Sequence, residues 1–127
     1  MISPQFIDHL VFRVSDLGRT ERFYTALLSQ SPVCAEDSLM YTMGDVRLFF
    51  TIATNPSPNA YDKETVGLNH IAFGLRTLAD LQTLRQQLDA ANIHHSGIKL
   101  DSYGRKEFIW LDDPDGMRVE LYLRPKS

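Results

Sequence analysis

The chain has 127 residues, a formal net charge of −3, 43% hydrophobic residues and 23% charged ones. That length suits one domain hiding roughly two-thirds of its unfolded surface, and the composition lies far from the disordered class. Lys and Arg are spread thinly among acids, which excludes a basic stripe for nucleic acid, and apolar runs such as Leu48-Phe49-Phe50 fall far short of the ~20 residues of a membrane span.

Asp8 and Arg13 interrupt the N-terminal stretch, so no signal peptide is read, and the single cysteine, Cys34, permits no internal disulfide. The expectation is a cytoplasmic protein with a small-molecule substrate and neither nucleic-acid nor membrane partners.

The chain contains an internal repeat. Residues 7–14 read IDHLVFRV and residues 68–75 read LNHIAFGL; at an offset of 61 residues His9 meets His70 and Phe12 meets Phe73, with Asp8 opposite Asn69. The offset continues through Leu17/Leu78, Phe23/Leu84 and Leu27/Leu88. Each half opens with a strand. In the first, Asp16 caps a helix whose core stripe is Leu17, Tyr24, Leu27 and Leu28; strands follow near 33–36, 39–44 and 46–53. In the second, Thr77 caps a helix with Leu78, Leu81, Leu84, Leu88 and Ala91 on its stripe, ending at Asn92; strands follow near 95–101, 106–112 and 117–123. Met43-Gly44-Asp45 and Asp113-Pro114-Asp115-Gly116 read as the tight turns before each last strand. The stretch 55–67, with Pro56, Pro58 and Asn59, reads as a linker between a first module at about 5–54 and a second at about 68–124. The predicted architecture is α+β: two tandem βαβββ modules with curved sheets in a single domain spanning 1–127.

Strand parity then selects a site. Leu10/Phe12/Val14 and Ile71/Phe73/Leu75 form the apolar sets that face the helices, which leaves His9 and His70 on the opposite faces. Val119, Leu121 and Leu123 form the apolar set of the last strand, so Glu120 points away from them. Two imidazoles and a carboxylate hold a divalent ion and leave positions open for water or substrate.

DHLVFRVSDLGRTERFYTALL, GLNHIAFGL and DDPDGMRVELY together resemble the vicinal-oxygen-chelate superfamily, which includes glyoxalase I, fosfomycin- and bleomycin-resistance proteins and extradiol dioxygenases. The likeness runs from His9 to Tyr122. It implies a cup built by paired modules and carries the metal ligands onto His9, His70 and Glu120. The implied cofactor is a divalent ion (Zn, Ni, Mn, Co or Fe(II)), and the implied assembly is a homodimer whose cup is built within one chain or across two. Aligning VRLFF with MRVEL sets Phe49 where glyoxalase I has a carboxylate, so a three-ligand site is expected rather than glyoxalase I activity proper. Trp110 and Phe108 stand where the fosfomycin-resistance pattern has hydroxyls, and extradiol dioxygenases are usually about twice as long.

The leading expectation is a metal-dependent lyase or isomerase acting on a small oxygenated metabolite by chelating its oxygens. The alternative is a metal-free binding protein of bleomycin-resistance type; an extradiol dioxygenase or a fosfomycin-type thiol transferase ranks below both. Catalytic candidates are Glu120, Glu107 and Tyr41, with Glu64 of the linker a third proton-transfer candidate beside the latter two. Trp110, Phe108 and Phe49 are expected to wall the pocket, and Arg47 and Arg118, at matched repeat positions, to steer an anionic substrate. His94 and His95 read as surface residues and Cys34 as a small buried one.

Overall fold

The computed structural model describes residues 1–55 and 59–126; Pro56, Ser57 and Pro58 of the expected linker, and Ser127, lie outside the described residues. The chain divides into two compact units, Met1–Pro58 and Asn59–Ser127.

In unit 1, β1 (His9–Val14) is followed by α1 (Leu17–Leu28), β2 (Val33–Ala35), β3 (Ser38–Met43) and β4 (Val46–Ile52). The sheet order is β1-β4-β3-β2, with β1 parallel to β4 and the other pairs antiparallel. Unit 2 repeats the plan: β5 (His70–Leu75), α2 (Leu78–Ala90), β6 (Lys99–Leu100), β7 (Glu107–Asp112) and β8 (Arg118–Leu123), in the order β5-β8-β7-β6. The registers match as well: His9 pairs with Arg47 and Val11 with Phe49 in unit 1, His70 with Arg118 and Ala72 with Glu120 in unit 2. Each module is thus a mixed βαβββ sheet covered by its own helix.

Packing follows the alternation. Val14, Leu48, Phe50, Leu39 and Tyr41 are buried beneath Phe23, Tyr24 and Leu27 of α1. In unit 2, Phe73, Ile109, Leu111, Val119 and Leu121 are buried on the α2 side with Leu81 and Leu88. Leu78 departs from the expected stripe. It is 41% exposed, because it occupies the first helical position, where the axis has not yet come down onto the sheet. Gly44 (φ 58°) lets a two-residue turn join Met43 to Val46, a left-handed conformation that a Cβ would disfavour.

The helix starts are set chemically. Asp16 accepts the backbone N–H of Arg19, and Thr77 accepts that of Asp80. The backbone N–H of Arg19 is the main reason the Asp16 carboxyl lies below its ordinary value of 3.8, with the Arg19 charge assisting. A depressed carboxyl contributes stability that is whole above the unfolded-state value and fades as pH falls below it toward the folded one. Acid titration of unfolding should therefore show wild type losing more stability than Asp16→Asn below about pH 3.8. Identical acid curves for the two proteins would disprove the assignment.

Three local expectations are corrected. The strand expected over 95–101 shrinks to Lys99–Leu100, because the Ser96 hydroxyl, rather than a backbone carbonyl, accepts the N–H of Trp110, and Gly97 turns the chain away at φ 74°. His95 is not a surface residue. Its side chain is 8% exposed, with Nε2 2.6 Å from Asp89 and Nδ1 accepting from Gly97 N–H, so it staples the end of α2. Cys34 is exposed rather than buried, since all three residues of β2 lie open.

Candidate metal-ligating face

Asn69 fixes the geometry of His70. Its Nδ2 donates to the Lys63 carbonyl (2.8 Å), which settles the orientation of the amide and leaves Oδ1 facing His70 Nδ1 at 2.8 Å. An amide oxygen only accepts, so the proton sits on Nδ1 and neutral His70 presents its Nε2 lone pair. That lone pair meets Oε1 of Glu120 at 3.3 Å. Two electron-rich atoms so close require a positive charge held by both, either a proton or a metal ion. Two donors each about 2.1 Å from one ion lie about 3 to 3.4 Å apart, so the pair fits a shared cation. Glu120 is only 13% exposed, which keeps its carboxylate from turning out to water.

Unit 1 carries a histidine at the matching repeat position. His9 Nδ1 lies 2.8 Å from Asp8 Oδ2, and its ring meets Phe49 edge-on at 5.8 Å. Both histidines therefore have Nδ1 engaged by the preceding side chain, which makes Nε2 the ligating atom, the arrangement that orients imidazole ligands. Phe49, paired with Val11 as Glu120 is with Ala72, offers no donor at the mirror position. Among the described residues no group of three or more His, Cys, Asp or Glu side chains clusters as a metal site; the structure brings His70 and Glu120 together as a pair.

Trp110 pairs with Glu120 and Phe108 with Tyr122 across the β7–β8 ladder, so both aromatic rings share the face of Glu120. Phe108 stacks on Tyr122 at 5.0 Å. Arg47 and Phe49 stand on the His9 face of unit 1. Arg118 is already committed. Its Nε donates to Asp112 at 2.7 Å and its guanidinium lies 4.3 Å over the Trp110 ring.

Two catalytic candidates lie on the helix sides of their sheets. Glu107 shares the parity of the buried Ile109 and Leu111, on the helix side of its sheet and away from Glu120. Tyr41 is fully buried on the helix side of unit 1, hydrogen-bonded to Thr25 at 2.9 Å, and burial raises its pKa above the ordinary 10. Glu64 pairs with Lys63 on the surface, where that ammonium holds its carboxyl below the ordinary value; it supports Asn69 rather than facing the strands.

The positions sequence reasoning missed are Asp8, Asn69 and Tyr122. The first two were legible as a matched pair beside the matched histidines. Tyr122 shares the face of Glu120, its pKa is raised by burial and then by the nearby Glu120 charge, and its hydroxyl bonds Asp101.

The repeated βαβββ modules, each opening on a histidine-bearing strand, point to a family, and residues 6–121 match the model of the Glyoxalase/Bleomycin resistance protein/Dioxygenase superfamily. The chain belongs to that superfamily. It is 28% identical to the uncharacterized protein YaeR of Escherichia coli (strain K12), covering 96% of this chain and 98% of that one. It is 29% identical to metapyrocatechase 2 of Cupriavidus necator, covering 95% of this chain and 34% of the relative, and so spans about a third of that protein. Among solved structures, a glyoxalase family protein from Enterococcus faecalis superposes with a TM-score of 0.73 at 23% identity, covering 93% of this chain and 97% of that one, a likeness of fold. No described helix is long and apolar enough to cross a membrane.

Proposed function

We propose that this chain is a divalent-metal-dependent enzyme of the glyoxalase kind, a lyase or isomerase acting on a small oxygenated metabolite, its two modules forming one functional domain. The observation that carries the reading is the Nε2 lone pair of His70 aimed at a Glu120 carboxylate oxygen 3.3 Å away, with Asn69 holding the imidazole in the ligating tautomer. His9, His70 and Glu120 are the proposed protein ligands. A bound divalent ion supplies Lewis-acid polarisation of substrate oxygen and leaves positions free for it. Membership in a family that includes a metapyrocatechase relative adds support for metal chemistry.

Glu120 is also the proposed proton carrier. On the strand face it shares with His70, the other carboxylate, Asp112, is tied to Arg118, which leaves Glu120 to take a proton from carbon next to the bound substrate oxygen and return it. Trp110, Phe108 and Phe49 exclude water from the reacting atoms. A cytoplasmic location is proposed as well, in keeping with the exposed unpaired thiol of Cys34, which a reducing compartment keeps reduced.

Elemental analysis of protein purified without chelator should find about one divalent ion per site, with turnover lost on chelation and restored by the metal. Protein that neither carries nor takes up a divalent ion would overturn the reading in favour of a metal-free binding protein.

We also propose a homodimer in which one site takes His9 from one chain and His70 with Glu120 from the other. A differentially tagged heterodimer of His9→Ala with His70→Ala then rebuilds one intact site and binds one ion, while either variant alone binds none. A metal-free heterodimer would place the ligands within one chain.

A further inference from the structure

Beyond His70, the same face of unit 2 continues as a trough of about 490 Å³ lined by His70, Ala72, Gly74, Tyr122, Arg76 and Arg124, with Phe73 beneath. Its floor is low because Ala72 and Gly74 carry almost no side chain, and a Cβ added at Gly74 would meet nothing within 4 Å. Its far end is cationic. Arg76 donates to the backbone carbonyl of Arg124 at 3.1 Å, and neither guanidinium has an ion-pair partner among the described residues. Lys126 borders the adjoining hollow with the same two arginines. Arg118, on the same sheet, is by comparison neutralised by Asp112. Two guanidiniums without an acidic partner among the described residues, flanking an open trough, give that end a positive local field.

We propose that Arg76 and Arg124 form an anion subsite for a substrate that carries a carboxylate or phosphate group away from its reacting oxygens. The proposal rests on the reading of His70 and Glu120 as metal ligands for its orientation, since it sets one end of the substrate there and its charged end at the arginines. From His70 to Gly74 the strand advances about 13 Å at about 3.3 Å per residue. A ligand filling the trough is therefore longer than a three-carbon acid. Guanidinium donors suit either planar carboxylate or tetrahedral phosphate oxygens through paired hydrogen bonds. The Tyr122 hydroxyl, which also bonds Asp101, stands along the path between the two ends.

The test is run on protein stripped of metal, so that it does not depend on metal binding. Inorganic phosphate and glutarate are titrated separately at constant ionic strength, while the backbone amide signals of Gly74 and Tyr122 are followed by NMR. Saturable shifts at these amides, weakened at least about tenfold in Arg76→Ala/Arg124→Ala, are expected; tighter phosphate binding would identify a phosphoryl group and tighter glutarate binding a carboxylate. Absent shifts in wild type, or shifts unchanged in the double variant, would overturn the proposal. Divalent-ion uptake should be unaltered in the double variant, and Glu120→Gln should still bind the anion. Loss of metal binding and loss of anion binding are thereby read separately.

Discussion

Glu120→Gln should lower divalent-ion affinity by at least about 100-fold while leaving the fold intact. Removing an outer-shell partner of a metal ligand typically costs 10–100-fold, and Glu120 is proposed as a ligand rather than a support, so its loss sets the larger figure. Gln keeps the size of the side chain and one neutral oxygen but discards the charge that faces His70 Nε2 at 3.3 Å. Turnover should disappear with the ion, since the same carboxylate is the proposed proton carrier. Asn69→Ala provides the graded control: freed of its Nδ1 partner, His70 samples the wrong tautomer, and affinity should fall by about 10–100-fold. Isothermal titration with Zn, Ni, Mn, Co and Fe(II), alongside a thermal melt, checks both variants. Wild-type affinity in Glu120→Gln would remove Glu120 from the site.

Phe50→Ala should destabilise the protein by about 3–5 kcal/mol, the range for emptying a buried aromatic position. Phe50 is fully buried, stacks on Phe12 at 5.0 Å and meets Tyr24 at 4.3 Å, so the cavity would open where α1 lies on β4. A melting temperature lower by roughly 15 °C is the corresponding thermal reading. Its neighbour Phe49, half-buried on the opposite face beside His9, should cost less than about 2 kcal/mol as Phe49→Ala. Equal losses at the two positions, measured by denaturant unfolding, would refute the assignment of faces in β4.

The repeat was legible because duplication leaves the same residues at the same offset, and alternation then fixes faces. His9 with His70, and Phe49 opposite Glu120 in the mirrored ladders, follow from spacing alone, and the registers of both sheets agree. The sheet faces taken by Glu107 and Tyr41 were not legible, because a polar residue on the helix side is indistinguishable from one on the ligand side until the ladder register is known. His95 was misjudged because its partner Asp89 lies across a helix end, where neither a period of two nor one of 3.6 applies.

The order of elements, the helix caps, the apolar faces and the paired histidines were thus determined by the sequence itself, since each depends on residues a few positions apart or at the repeat offset. Tertiary structure alone decided that Asn69 holds His70 toward Glu120, that Asp112 neutralises Arg118, and that Arg76 and Arg124 stand unneutralised at the end of an open trough. These facts depend on the tautomer of an imidazole and on which charge finds a partner. Both are set by side-chain distances between strands that meet only once the chain has folded.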